Sequence, residues 1–134
     1  MANELTPIEL FGANNAGQPR TYTIASSATV TKGTLMTLAD PRTVNTTPTK
    51  GALCAGVAAM DKTADWSTQI TVLTNGVFDA VASGSITVGN NVMMSNSLNK
   101  VEVATEPSAS GAAIVGISED SVTDGQHLNL RINK

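Results

Sequence analysis

The stretch Gln69-Ile70-Thr71-Val72-Leu73-Thr74-Asn75-Gly76-Val77-Phe78-Asp79-Ala80-Val81 decides the fold class. From Gln69 to Leu73 polar and apolar residues alternate, with Ile70 and Val72 on one side, as a half-buried strand requires. Asn75-Gly76 then precedes a second apolar run, residues 77–81. An Asn-Gly pair before such a run is the strongest short-range hairpin signal, because both residues tolerate positive φ. The stretch therefore reads as a β-hairpin, and the chain around it as all-β.

The same grammar continues outward. Tyr22, Ile24, Ala28 and Val30 share one parity, with Thr and Ser among the residues between. Residues 35–38 form a short strand after the Lys32-Gly33 turn, 39–50 read as a polar loop with Asp40-Pro41 and Thr47-Pro48, and 54–60 are an apolar run of small residues. Further strands are expected at 86–88, 92–95, 101–103, 112–118 and 127–132, which brings the total to eight to ten. No window carries a sustained helical stripe, although 58–66 has room for a turn or two.

Composition sets the bounds. The 134 residues suit one ordinary domain, expected over 21–134. Hydrophobic residues make up 41% but aromatics only 3%, and charged residues are 14%, against ~25% in an average soluble domain. Threonine is almost as frequent as all charged residues together, a β-branched bias that favours packed sheet over long helices. A net charge of -3 leaves no basic face for a phosphate backbone, so no nucleic-acid partner is expected. One Cys excludes an intrachain disulfide framework, and one Cys with one His excludes a Cys/His zinc cluster. The apolar runs fall far short of a membrane span. Met1-Ala2-Asn3-Glu4 has neither a basic patch nor an apolar core, so synthesis and use from a cytosol are expected.

Residues 1–20 read differently from the remainder. Pro7, Gly12, Gly17 and Pro19 interrupt any periodicity, yet Leu5, Ile8, Leu10 and Phe11 crowd into a few positions. The expectation is an extended N-terminal arm, mobile in the free protein, whose four apolar residues order on a partner.

A repeat runs through the rest. Thr29, Val30 and Leu35 precede Thr87, Val88 and Met93 by 58 residues, and Gly51-Ala52 with Gly56-Val57 precede Gly111-Ala112 with Gly116-Ile117 by 60. Both copies then lead into a Gln-headed strand, at Gln69 and Gln126. The expected meaning is one strand–hairpin–strand unit used twice, the two copies together closing a single small barrel or sandwich.

No catalytic constellation emerges. His127 has parity opposite to Leu128, Leu130 and Ile132, which puts it on the outer face of its strand. Cys54 sits among small apolar residues with no basic neighbour to activate a thiolate. Asp61, Asp65, Glu119, Asp120 and Asp124 fall in turns, and the Asp120–Asp124 spacing does not fit a calcium loop. No glycine-rich stretch leads into a helix, so a phosphate cradle is absent. No metal, cofactor, substrate or enzymatic activity is expected. The lone Trp66, in a polar loop, reads equally as a lid over a barrel end or as an interface anchor. With so few charges, exposed strand edges would be sticky, so the chain is expected to form a homo-oligomer with Trp66 or the Met93-Met94 hairpin at a contact.

Three segments carry a resemblance: Thr34-Leu35-Met36, then Gly51-Ala52-Leu53-Cys54-Ala55-Gly56-Val57-Ala58-Ala59, then Gln69 through Gly76-Val77-Phe78. In that order they resemble the head decoration, or cement, proteins of tailed bacteriophages, including the lambda type. The resemblance covers roughly residues 22–132. It implies a β-tulip domain, a homotrimer and a seat on the outer surface of an icosahedral capsid, with the arm on the major capsid (coat) protein. It also implies a mechanical task, clamping capsomers against the pressure of packaged DNA. A second reading is a tail, spike or surface-adhesion module that binds glycans. That reading needs solvent-facing aromatics, and only Tyr22, Trp66 and two Phe are available.

Overall fold

A computed structural model describes residues 3–10, 19–46, 50–64, 66–104 and 113–133. Eleven strands follow in chain order: β1 (Thr6–Glu9), β2 (Pro19–Thr23), β3 (Leu35–Asp40), β4 (Thr43–Asn45), β5 (Cys54–Ala58), β6 (Gln69–Leu73), β7 (Asn75–Ala82), β8 (Asn91–Met94), β9 (Lys100–Val103), β10 (Ile114–Ser118) and β11 (His127–Asn133). The described residues contain no helix, so the all-β expectation holds and the turns foreseen over 58–66 are not helical. The sequence reading missed β1 and β4, both short, the first containing Pro7 and the second two residues after Pro41.

The strands close two barrels rather than one. The first runs β2-β4-β3-β5-β6 and closes on itself. In the second, β7 pairs with both β11 and β9, completing the ring β7-β9-β8-β10-β11, and β1 adds to β7 from outside. Neighbour for neighbour the rings match. β2 is parallel to β4 as β7 is to β9, and every other pair within each ring is antiparallel. The repeat is thus structural, but each copy closes its own barrel.

Two details of the sequence reading are corrected here. Gln69–Leu73 and residues 77–81 do not form a hairpin: β6 pairs with β2 and β5, and β7 pairs with β1, β9 and β11. The chain passes through Thr74 from one barrel into the other. The alternation in each run was real, but two different sets of partners satisfy it. Gly76 is needed for a close approach instead of a turn, because a Cβ there would lie 2.7 Å from the Glu9 carbonyl oxygen. The second correction concerns the register of the repeat. The Val30–Lys62 bridge is matched by Ile86–Val122, and the Gly33 N–H to Ala58 carbonyl bond (2.9 Å) by Gly89 to Ser118 (2.8 Å). Val30 therefore corresponds to Ile86, two residues from the Val88 expected. A slip of two preserves which face each side chain takes, so the period-2 pattern could not expose it.

Gly56 and Gly116 do correspond. Each is the third residue of its strand, in β5 and β10. A Cβ on either would collide with a backbone carbonyl of the neighbouring strand, that of Leu73 in β6 or Arg131 in β11. Leu73 and Arg131 are themselves equivalent by register. Two closely packed strands, not a turn, require these glycines.

The interiors match in kind while exchanging size. Ile24, Val30, Met36, Val44, Ala55, Ile70 and Val72 belong to one cluster in the first barrel. Their counterparts Ala82, Ile86, Val92, Val101, Val115, Leu128 and Leu130 fill the second. Ile against Ala and Ala against Val show volume traded between positions, which small cores tolerate when total volume is kept.

The second cluster also takes in Leu35, Cys54, Val57 and Leu73 from the outer face of the first barrel, so the seam between barrels is a continuous apolar layer. Polar bonds fix its register. The Leu35 N–H donates to Asn99 Oδ1 at 2.9 Å, the Gly51 N–H to the Met94 carbonyl at 3.0 Å, and the Lys50 N–H to Asn96 Oδ1 at 2.8 Å. Asn99 is buried and held at φ 61°, a conformation that asparagine tolerates better than most residues.

Candidate functional site

The titratable residues do not converge. His127 Nδ1 lies 3.0 Å from Asp79 Oδ1 on the outer face of β11 and β7, both side chains open to solvent. Asp120 accepts from the Asn129 N–H, Asp124 from the Gly84 N–H and Asp61 from the Lys32 N–H, each tying down a loop. Cys54 is buried, its Sγ 4.0 Å from the Gly56 carbonyl. Among the described residues no three His, Cys, Asp or Glu side chains gather to hold a metal ion, and no helix is long and apolar enough to cross a membrane.

The informative surface lies at the N-terminus and along one end of the first barrel. The described part of the arm is docked on the chain itself. β1 pairs with β7 in the register Thr6–Asp79, Pro7–Phe78 and Glu9–Val77. Leu5 is 2% exposed and belongs to the second core cluster, and Leu10 packs against that cluster half-buried. In the free chain its own core holds Leu5 and shields Leu10, because β7 offers an edge that the second barrel does not otherwise cover. Ile8 points outward at 56% exposure. Phe11 lies outside the described residues.

The arm bridges both barrels. The Leu5 N–H donates to the Gly33 carbonyl at 2.7 Å on the first barrel, while β1 pairs with the second. Gly33 has φ 94°, and a Cβ there would fall 2.5 Å from the Leu5 carbonyl oxygen. Its counterpart Gly89 keeps φ 87° but has nothing within 4 Å, so among the described residues only the first barrel carries an arm in this position. Beneath the arm, Glu4, Leu5, Pro7, Lys32, Val57 and Leu73 are among the residues that line a cavity of about 240 Å³.

Trp66 is 92% exposed, which removes the lid reading. Its backbone lies at φ 71°, a region costly for a bulky residue. The two barrels differ sharply here. Between β5 and β6 the loop carries Met60 and Trp66 outward, whereas the shorter loop between β10 and β11 carries Asp120, Asp124 and Gly125. Met93 and Met94 are both 2% exposed. Met94 accepts a contact from Thr37 Oγ1 at 3.5 Å, and a Cβ at Gly51 would lie 3.7 Å from Met93 Sδ. The methionine hairpin therefore seals the seam within one chain. Apolar residues in a strand face a core whether it is intrachain or intermolecular, and the sequence does not separate the two cases.

Sequence reasoning missed Lys62. Its side chain is buried, and Nζ donates to the carbonyls of Ser26 (3.1 Å), Ala28 (3.1 Å) and Thr63 (3.0 Å), closing one end of the first barrel. The corresponding Val122 closes the second barrel with an apolar side chain. Only the two-barrel alignment could have flagged a lysine facing a valine.

No curated protein matches the chain. Among solved structures, the N-terminal base of the head fiber protein gp8.5 from bacteriophage phi29 superposes with a TM-score of 0.55 at 17% identity, covering 87% of this chain and 93% of that one. That likeness is one of fold. The model of the phage cement protein family matches residues 15–132, an interval that takes in both barrels. The chain belongs to the phage cement protein family.

Proposed function

We propose that this protein is a decoration protein of an icosahedral phage head, bound to the outer surface and stabilising the shell against the pressure of packaged DNA. Family membership gives it a capsid-associated structural role, and the match along 15–132 is the observation that carries the reading. The acidic balance and the dispersed titratable groups are what a mechanical surface protein needs and a DNA-facing one does not. The phi29 protein whose base shares this fold is, by its name, a head fiber.

The proposed contact with the major capsid protein is the N-terminal arm, residues 1–20. With Leu5 held in the core, the anchors are Ile8, exposed on β1, and Phe11 beyond it. A single short segment binds weakly, since ordering takes ~2–5 kcal/mol from the gross interaction energy. Assembly as a homotrimer presents three arms and raises avidity by ~10²–10⁴ without new contacts. Binding the closed shell but not dissociated coat protein then stabilises the head by mass action.

Co-sedimentation with purified heads tests this. The wild-type chain should saturate the heads, and a variant carrying Ile8→Ser and Phe11→Ser should need at least tenfold more protein for the same occupancy while melting at the wild-type temperature. Failure of the wild-type chain to bind heads at all would overturn the reading.

A further inference from the structure

We infer that Trp66 of one copy seats in the cavity of a second copy, between that copy's arm and first barrel. The inference deepens the cement reading by naming the contact that joins copies. The first observation is the anchor. A lone tryptophan stands 92% exposed at φ 71°, in the same loop as Met60 at 44%. Backbone strain at an exposed aromatic does nothing for this chain's own packing, and strained positions cluster at functional sites. The second observation is the socket. The cavity holds about 240 Å³, walled by Leu5, Pro7, Val57 and Leu73, with Lys32 exposed at its rim. A dry cavity of ~150 Å³ accommodates benzene, so the larger space has room for an indole. A lysine at the rim offers the ring face a cation.

The duplication supplies an internal control. Among the described residues the second barrel differs at both places: Asp124 and Gly125 stand in its equivalent loop, and Gly89 carries no arm. Anchor and socket occur together on the first barrel. They are also neighbours there, since the Lys32 N–H donates to Asp61 Oδ1 in the Trp66 loop at 2.7 Å. A chain that bears both halves of a contact side by side can use them between identical copies, in a closed pair or ring. The cavity is half built from the arm, so the contact also depends on Leu5 staying docked.

Trp66 is the sole tryptophan, so its fluorescence reports its own surroundings without interference. In dilute wild-type protein the emission should be that of indole in water. With rising concentration it should shift to the blue, and acrylamide quenching should fall at least threefold, over the range where light scattering shows association. Excess Trp66→Ala protein, which supplies sockets without fluorescence, should shift dilute wild-type emission in the same direction. Trp66→Ala alone should melt as the wild type does and remain monomeric; if it melts lower, Trp66→Gly, which relieves the positive φ, takes its place. Association with unchanged emission, no association at all, or a blue shift that appears only on adding heads would each overturn the inference. No heads are needed for the primary measurement, so its failure leaves the cement reading to the co-sedimentation test.

Discussion

The two barrels share a strand order, a pairing pattern and a pair of matched glycines, yet they face the world differently. In the first, the outer face formed by Leu35, Cys54, Val57 and Leu73 is buried against the second. By register, Asn91, Ile114, Ile117 and Arg131 hold those positions in the second barrel, with Asn91 and Arg131 exposed and the isoleucines half-buried. A duplicated unit that stacked on both faces would polymerise. Polar substitutions on the last unit's outer face end the stack, as capping repeats do in solenoids. The closed end differs as well, with Lys62 and an outward Trp66 on one barrel and Val122 and Gly125 on the other. What the copies share holds the fold, and where they diverge is where the proposed contacts lie.

The largest expected effects test the shared part. Gly56→Ala and Gly116→Ala each drive a Cβ into a neighbouring strand's backbone, and each should cost ~3 kcal/mol or more, the upper range for overpacking. Thermal melting should show both variants unfolding well below the wild type. A tolerated Gly116→Ala beside a failing Gly56→Ala would break the equivalence of the barrels. Next, Leu5→Ala removes a buried side chain from the seam and should cost ~2–5 kcal/mol. An unchanged melt would mean that the arm contributes nothing to the free protein.

Lys62→Met should cost about 2 kcal/mol by leaving three carbonyls without their donor, whereas Val122→Met in the other barrel should change stability by less than ~1.5 kcal/mol. Equal effects at the two positions would show that the lysine is no special plug. The smallest effect belongs to Trp66→Gly. It exchanges an exposed side chain at positive φ for the residue that adopts this conformation most easily, so the melt should stay level or rise by the equivalent of ~1 kcal/mol. A clear loss of stability would place the tryptophan in the fold rather than at a contact.

Much of the fold was legible. Alternation located Gln69–Leu73, residues 77–81 and 127–132 within a residue or two, and the correspondence of Gly56 with Gly116 was readable because a close strand approach leaves no alternative to glycine. Closure was not legible. Period-2 patterns say which face is buried but not which strand covers it, so Asn75-Gly76 read as a hairpin turn when it opens the second barrel. The same ambiguity hid the role of Met93 and Met94, apolar by sequence and buried inside the chain by structure. Leu5 looked unpartnered because the core cluster it joins, which includes Leu73 and Ile132, is assembled from residues far along the chain. Trp66 was visible as a candidate, but its exposure and backbone conformation needed coordinates.

The central claim, that the protein stabilises phage heads by binding them, is tested most directly by the temperature at which purified heads disassemble, measured across a titration of the free protein. Mass action predicts a disassembly temperature that climbs steadily with the logarithm of free protein concentration once binding begins. A disassembly temperature that stays level while the protein saturates the heads would contradict the account.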